Sequence, residues 1–449
     1  MTQKISIIGA GSAVFSLALV KDLCLTKGLS GSHVCFMDID SERLDMIDAL
    51  GRRYAEELGS GLTFEKTLDR AVALEDAGFV INTAAVQDEY VKHDIRTVTD
   101  KHGYYYGGRM RLLYYQIDLM LSIARDMERI CPDAWLIFAA NPVFEGTTLI
   151  SRETAIKTVG LCHGHYGYRT IASTIGLDPD KVTFQAPGLN HNIWMTHFIH
   201  DGADAYPLLD EWIENEAEAY WSEHQATGTH DTQMSRAAIH QYKMYGLMPI
   251  GDTPRRSGWW YHTDQETKLR WFFPPWGGPD TYGARAVTRQ SKEERIARMT
   301  EAAYDPDISL VDMFGAARTR EQHISIIDGL VNDNEYRAQV NVRNDGVLAG
   351  IPDDVAVEVP AIVNRNGIQP LRVQPLPQKV MLECILPNWL GMERSLYAYK
   401  NGDRSVLLYE VLDNHQTRSY DQALAMLEDV LGMEPNEEMN RHYQWPRNW

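Results

Sequence analysis

Three short segments gather residue types able to do chemistry: Asn141-Pro142, Cys162-His163-Gly164-His165 and Gly188-Leu189-Asn190-His191-Asn192. Each follows, or nearly follows, a run that predicts a β-strand: Ala134 to Ala140, Thr158 to Leu161, and Val182 to Gln185. In an open parallel sheet such strand ends face the ligand crevice. A thiolate and an imidazole delivered there could share a divalent metal, with substrate oxygens in the open positions. Spacing alone leaves the plainer reading standing, in which the cysteine is core and the histidines are satisfied polar groups.

The elements that would position these groups begin at residue 5. Ile5-Ser6-Ile7-Ile8 signals a buried strand that ends in Gly9-Ala10-Gly11-Ser12-Ala13-Val14, and Val14, Leu17, Ala18 and Leu25 then recur at helical spacing. A second strand, His33 to Met37, ends in Asp38-Ile39-Asp40 and precedes a helical stripe of Leu44, Ile47, Tyr54 and Leu58. Further β-rich runs at Phe79 to Thr83 and Trp135 to Ala139 alternate with helical stretches, which predicts an α/β fold with a Rossmann-like, doubly wound parallel sheet. Gly9 permits the tight turn, and Gly11 lets the backbone approach a pyrophosphate on the helix N-terminus. Val14 replaces the third glycine of the dinucleotide fingerprint. Asp38, 27 residues after Gly11, is placed to hold the ribose hydroxyls of NAD and to repel the 2′-phosphate of NADP; Asp40 competes for that role, since register is open.

Composition bounds the partners. The 449 residues are 44% hydrophobic and 23% charged, the balance of an ordinary globular chain. Forty-three basic against 62 acidic residues give a net charge of −19, and no basic run is interleaved with aromatics, which argues against nucleic acid. A small anionic substrate is still compatible, because a pocket can be locally positive. The five cysteines are widely spread with no CxxC, so they form no disulfide framework and fit a reducing cytoplasm. The apolar run Ile5 to Val20 mimics a secretory leader, but Gly9, Gly11 and Ser12 interrupt it and no small-x-small site follows. No window reaches the roughly 20 uninterrupted apolar residues of a membrane span.

Taken together, the segments resemble glycoside hydrolase family 4, the NAD- and metal-dependent glycosidases that depart from two-carboxylate hydrolysis. The matching pieces are Ile8 to Ser12 with Phe15, Met37 to Asp40, Asn141-Pro142-Val143, Cys162 to His165, Gly188 to His191, Pro249 to Thr253, and Val340 to Pro360 in part, all in the expected order. The resemblance implies that Cys162 and His191 hold manganese, and that Gly9, Gly11, Ser12, Phe15 and Asp38 hold NAD. It makes Asn141 a sugar contact and Asn190 either an orienter of His191 or a second contact. His163 becomes the candidate proton donor to the leaving oxygen. Asp252 becomes the candidate base at C2, with Tyr242 and Tyr245 as alternatives because some members use tyrosine. In the family's route, hydride leaves C3 for NAD⁺, the C2 proton is removed, and the C1–oxygen bond breaks by elimination. Water then adds and the hydride returns, so the cofactor is recycled.

The tetrad Cys162-His163-Gly164-His165 is similar to that of the α-galacturonidases, which implies hydrolysis of α-D-galacturonides. α-Glucuronides and neutral α-glycosides are the rival substrates. A C6 carboxylate needs a cationic partner, and His165, Arg109 and Arg255 (or Arg256) are the candidates, although such arginines also fit surface ion pairs or the cofactor pyrophosphate. An NAD-dependent hydroxy-acid dehydrogenase, or a non-catalytic NAD sensor, would need no Cys-metal site.

The expected division is a dinucleotide-binding domain over 1–194 and an interlocked α+β domain over 195–449, in the manner of lactate and malate dehydrogenases, with strands near 340–360 returning to the first. Trp212 to Trp221 reads as a solvated helix, and the Trp-rich stretches 258–261 and 271–278 as a sugar platform or a subunit interface. The tail 436–449 carries few core signals and is expected to be partly mobile. Homodimers and homotetramers are typical of the resemblance.

Overall fold

Six short strands, β1 (Lys4–Ile8), β2 (His33–Met37), β3 (Thr63–Thr67), β4 (Phe79–Asn82), β5 (Trp135–Phe138) and β6 (Lys157–Gly160), lie parallel in the order 3-2-1-4-5-6 in the computed structural model. It describes residues 2–12, 14–86, 89–109 and 112–447, with the side chains of residues 89, 90, 108 and 109 outside that set. Alternate residues feed two core layers. Ile5, Ile7, Phe36, Ile81 and Ile137 enter one, and Cys35, Val80, Leu136 and Phe138 the other. Burial on both faces is why β1, β2, β4 and β5 read as nearly unbroken apolar runs, whereas the edge strand β3 is largely polar. The order reverses between β1 and β4, and the loop after β1 opens at that switch point, where sheets of this kind bind ligands.

The sheet continues past β6 with a change of direction. β13 (Tyr336–Arg343) joins it antiparallel, with Asn341 opposite Gly160, and pairs along its whole length with β14 (Ala356–Asn364). β15 (Gly367–Pro370) pairs with β14, while β8 (Gly188–Leu189), β9 (Asn192–Met195) and β12 (Met248–Ile250) complete the path. Among the described residues, one twelve-stranded sheet therefore runs through both halves of the chain. The expected strand Val182–Gln185 forms as β7 but lies outside that sheet, paired antiparallel with β10 (His197–His200), which also carries β11 (Ala203–Asp204). Asn190 and His191 consequently do not follow a parallel strand. They are the two-residue turn between β8 and β9.

Two expectations for the second half need correction. The segment around Trp212 breaks at Glu216 into helices Tyr206–Asn215 and Ala217–Glu223; its acids face solvent, but Trp212 is buried. The C-terminal stretch is docked through residue 443. Met439 and Tyr443 are buried in a cluster with Tyr104, Leu408 and Leu427, and Tyr115 donates to the Pro435 carbonyl at 2.8 Å. Two apolar side chains one helical turn apart anchor it, too sparse a pattern to stand out in sequence. In the Trp-rich region, Tyr261 and Phe272 bury against Ala237, and Trp259 stacks on His415. No described helix is long and apolar enough to cross a membrane.

Candidate active site

Three loops converge at the C-terminal side of β6. Cys162 lies two residues beyond that strand. His191 occupies the β8–β9 turn with φ of 61°, a left-handed conformation that costs a non-glycine residue on the order of 1 kcal/mol and persists because pairing on both sides fixes it. Asp252 follows β12, and its neighbour Thr253 ties the loop down: the hydroxyl accepts from Ile193 N at 2.8 Å and donates to Ile193 O at 3.0 Å. Gly251, with φ of 65°, presses its backbone onto Gly164. A Cβ at 251 would lie 2.4 Å from Gly164 Cα, so only glycine lets the Cys162 loop approach Asp252 this closely. The result is that a sulfur of Cys162, a ring nitrogen of His191 and a carboxylate oxygen of Asp252 all lie within 4.8 Å of one another.

The electrostatics of this trio are those of a site built around a cation. His191 Nε2 is 3.0 Å from Asp252 Oδ2, and Arg255 Nε donates to Asp252 Oδ1 at 2.8 Å. Burial by itself would raise the Asp252 carboxyl, but Arg255, His191 and Arg256 hold it well below the usual carboxylate range. Burial takes His191 down to about 4, so the imidazole is neutral and free to ligate. Burial, then the nearby Glu358 and Asp252, push the Cys162 thiol far up. A thiol in that field loses its proton to solvent only when a positive ion takes the proton's place on sulfur. Thiolate, imidazole and carboxylate at this separation fit a divalent metal with positions left for substrate oxygens.

A cavity of about 570 Å³ lies over the trio, and Phe15, Asn141, Cys162, His163, His165, His191 and Asp252 all line it. The glycine loop leads into the helix whose Phe15 lines this cavity. Gly9 has φ of 84°, and a Cβ there would sit 2.5 Å from Ala84 N. Gly11 N donates to Asp38 Oδ2 at 2.7 Å, and Ser12 follows, exposed. Asp40, the rival to Asp38, is the N-cap of helix Ser41–Glu57, where its side chain accepts from Arg43 N. Glycine turn, helix start and an acid at the end of β2 fit a dinucleotide.

Several sequence-based assignments are redrawn by these contacts. Asn190 does not line the cavity; its side-chain amide donates to Glu358 Oε2 at 3.0 Å behind Cys162. Arg255 is buried between two carboxylates, Asp252 and Asp280 (2.7 Å), so it positions Asp252 rather than standing ready for a substrate anion. His165 faces the cavity as a neutral ring: its Nδ1 is 3.0 Å from the Cys162 carbonyl, which leaves Nε2 an acceptor, and burial takes it to about 4. Pairing with a substrate carboxylate as a cation is therefore disfavoured for His165. The side chain of Arg109 lies outside the described residues. Tyr242 bonds Asp210 and Tyr245 packs edge-on to Trp194; of these three side chains, only that of Asp252 lines the cavity.

Three acids were given no role from sequence. Glu358, within the apolar run Val355 to Val359, is fully buried and raised by that burial to about 7 although Asn190 and Asn341 donate toward it. An acid inside a buried strand was a legible signal. Asp280 and Glu321 lie in loops and gave none.

Residues 4–177 match the description "Family 4 glycosyl hydrolase", and residues 186–417 match its C-terminal domain. An α-galactosidase of Bacillus subtilis is 27% identical over 392 residues, covering 84% of this chain and 85% of the relative. An α-galacturonidase of Lachnoclostridium phytofermentans is 24% identical over 437 residues, covering 90% and 89%. Among solved structures, a 6-phospho-α-glucosidase from gut microorganisms, crystallised with NAD and Mn²⁺, superposes with a TM-score of 0.71 at 17% identity, covering 98% of this chain and 99% of that one. Both family segments lie in one chain, in order, around the converging Cys162, His191 and Asp252 loops: the protein belongs to family 4 of the glycosyl hydrolases.

Proposed function

We propose that this glycosidase is an α-galacturonidase that works with NAD and a divalent metal, manganese first. The observation that carries the cofactor half is the single cavity shared by the glycine-loop neighbour Phe15 and the Cys162, His191 and Asp252 cluster. It brings a dinucleotide site and a metal site to the same substrate-sized space. The uronate half rests on the Cys-His-Gly-His tetrad and on the α-galacturonidases among its relatives. With Arg255 engaged, His165 neutral and Arg169 paired with Asp180 at 2.8 Å, the cation on the cavity wall that best suits a C6 carboxylate is Arg320.

In this reading Cys162 and His191 would hold the metal, and Gly9, Gly11, Ser12, Phe15 and Asp38 the cofactor. When bound, NAD supplies a hydride acceptor for C3 and the metal supplies Lewis acidity that makes the C2 proton removable. Asp252, with one oxygen fixed by Arg255 and the other turned toward His191, takes that proton. His163, half exposed in the cavity, gives a proton to the glycosidic oxygen as the C1–oxygen bond breaks. Asn141, exposed at the rim, orients the sugar. The same reading includes domains over 1–194 and 195–449, a cytoplasmic setting and a homodimer or homotetramer.

The test is a dropout assay on p-nitrophenyl α-D-galacturonide with NAD⁺, Mn²⁺ and a thiol reductant, each omitted in turn. Cleavage that needs all three without net NADH is expected. An α-glucuronide, an α-galactoside and an α-glucoside 6-phosphate run alongside; preference for any of these would discard the galacturonide assignment, and steady NADH without cleavage would favour a dehydrogenase.

A further inference from the structure

His163 is not a free-standing imidazole. Its Nδ1 lies 3.0 Å from Oε1 of Glu321, a residue remote in sequence that belongs to the loop before helix His323–Asn332. The other oxygen, Oε2, is 3.5 Å from Nδ1 of His323, too far for a full hydrogen bond, and His323 itself is fully buried with its ring edge-on to Phe15 at 5.2 Å. A chain of side chains thus runs from the glycine-loop neighbour Phe15 through His323 and Glu321 to the residue beside Cys162.

The loop that presents Glu321 is fixed on both sides. Tyr166, in the turn after the tetrad, donates to the Arg320 carbonyl at 2.8 Å. Gln322 both donates to Gln339 O (2.9 Å) and accepts from Gln339 N (2.8 Å) on β13, and Glu321 N donates to Thr319 Oγ1 at 3.1 Å. Burial would raise the Glu321 carboxyl, but His163 and His323 bring it down to about 2, so it is an acceptor at working pH. By contrast, His163 has a half-exposed side chain, and its ring is otherwise met by Tyr166 at a tilt. An imidazole so placed can turn about its terminal torsion unless one nitrogen is held.

We propose that Glu321 is the positioning residue for His163: it accepts the Nδ1–H and fixes the ring, so that the ring, protonated on both nitrogens when it acts, gives its Nε2 proton to the leaving-group oxygen and is left as the Nδ1–H tautomer. The proposal rests on the reading of His163 as proton donor. It does not depend on which sugar is cleaved. A carboxylate behind an imidazole selects the tautomer and orientation of the ring in the same way wherever such a pair occurs.

Two measurements test it. The first uses the unliganded protein, labelled with ¹⁵N-histidine at mildly alkaline pH, with His163 assigned by the signal missing from His163→Ala. Wild-type protein should carry the proton on Nδ1, the tautomer that free histidine disfavours, and Glu321→Ala should revert toward the Nε2–H form. An Nε2–H tautomer in wild-type protein overturns the proposal with no Glu321 variant needed, as does a tautomer unchanged in Glu321→Ala. The second is a double-mutant cycle on turnover of p-nitrophenyl α-D-galacturonide, or of whichever glycoside the dropout assay identifies. Glu321→Ala should lower kcat about tenfold to a hundredfold with KM little changed, and the Glu321→Ala/His163→Ala double should be no slower than His163→Ala. Losses that multiply would mean that Glu321 acts independently of His163. Inactivity on every galacturonide would remove the substrate assignment and leave the tautomer result standing.

Discussion

The backbone amide of Gly11 donates to Oδ2 of Asp38 at 2.7 Å, joining the loop after β1 to the end of β2 across 27 positions of sequence. The approach is close enough that a Cβ at residue 11 would sit 2.7 Å from that oxygen. Asp38 is thus held against the glycine loop while Asp40 caps the following helix.

Under the proposed function, this geometry sets cofactor choice. Asp38→Ala should weaken NAD binding by about tenfold and narrow the preference over NADP, because the carboxylate both accepts ribose hydroxyls and repels a 2′-phosphate. Gly11→Ala should weaken both cofactors, since the new methyl group displaces Asp38. Calorimetric titration of each variant with both cofactors reads this directly; NADP binding as tight as NAD in wild-type protein would remove Asp38 from the ribose site.

Metal binding should release a proton and strengthen with pH. Burial, Glu358 and Asp252 keep the Cys162 thiol protonated at neutral pH, so a metal that takes a thiolate must displace that proton. Below the thiol's raised pKa, Mn²⁺ affinity should rise about tenfold per pH unit, and titrations in buffers of different ionisation enthalpy should show about one proton released. Cys162→Ser should lose the proton release and roughly a hundredfold or more in affinity while NAD still binds. A wild-type affinity independent of pH would exclude Cys162 from the ligand set.

The metal-free protein should become more stable between pH 4.5 and 6.5. His165 and His191 titrate near 4 in the fold against an ordinary 6.5, so as pH falls through that window the unfolded chain binds protons that the fold refuses. Each can withdraw up to about 3 kcal/mol by pH 4. Glu358 opposes them. Raised to about 7 by burial, it keeps a proton that the unfolded chain has given up, so its contribution is lost as pH rises from 4.5 to 7. Glu358→Gln should therefore steepen the rise in Tm with pH, followed by circular dichroism at fixed ionic strength. An unchanged or flatter slope would mean that Glu358 is ionised in the fold.

What could be read from sequence was what is local. β1, β2, β4 and β5 announce themselves as apolar runs because both faces are buried, whereas the edge strand β3 is largely polar and gives no such signal; Gly9 and Gly11 stand out because a turn and a close approach demand them. The segments bearing Cys162, His191 and Asp252 were legible as motifs, but not how they meet. His191 owes its place to strands that pair antiparallel beside β14, and the approach of Asp252 to Cys162 depends on Gly251 packing against Gly164, some 87 positions apart. Arg255 looked available for a substrate because nothing in its neighbourhood discloses that Asp280, 25 residues on, is folded against it. Glu321 was invisible for the same reason: a carboxylate in a polar loop acquires meaning only from the imidazole it meets.

That hidden pairing gives the last prediction. Arg255 is buried, its Nε on Asp252 and its Nη1 2.7 Å from Asp280, so Asp280 governs Asp252 through the guanidinium between them. Asp280→Asn keeps the shape but removes a charge that helps to balance Arg255 in a buried setting, and breaking such a pair costs about 3 kcal/mol or more. Thermal unfolding should register that loss. Freed from Asp280, the guanidinium should draw Asp252 away from His191, so Mn²⁺ affinity and kcat should each fall about tenfold. Arg255→Lys separates charge from geometry: an ammonium keeps the positive charge but cannot span both carboxylates with a rigid fork. If both variants lose turnover while Mn²⁺ still binds, Asp252 serves chiefly as the base; if metal binding falls with turnover, it belongs to the ligand set as well. Full activity in both would show that Asp252 holds its place without the Arg255–Asp280 brace.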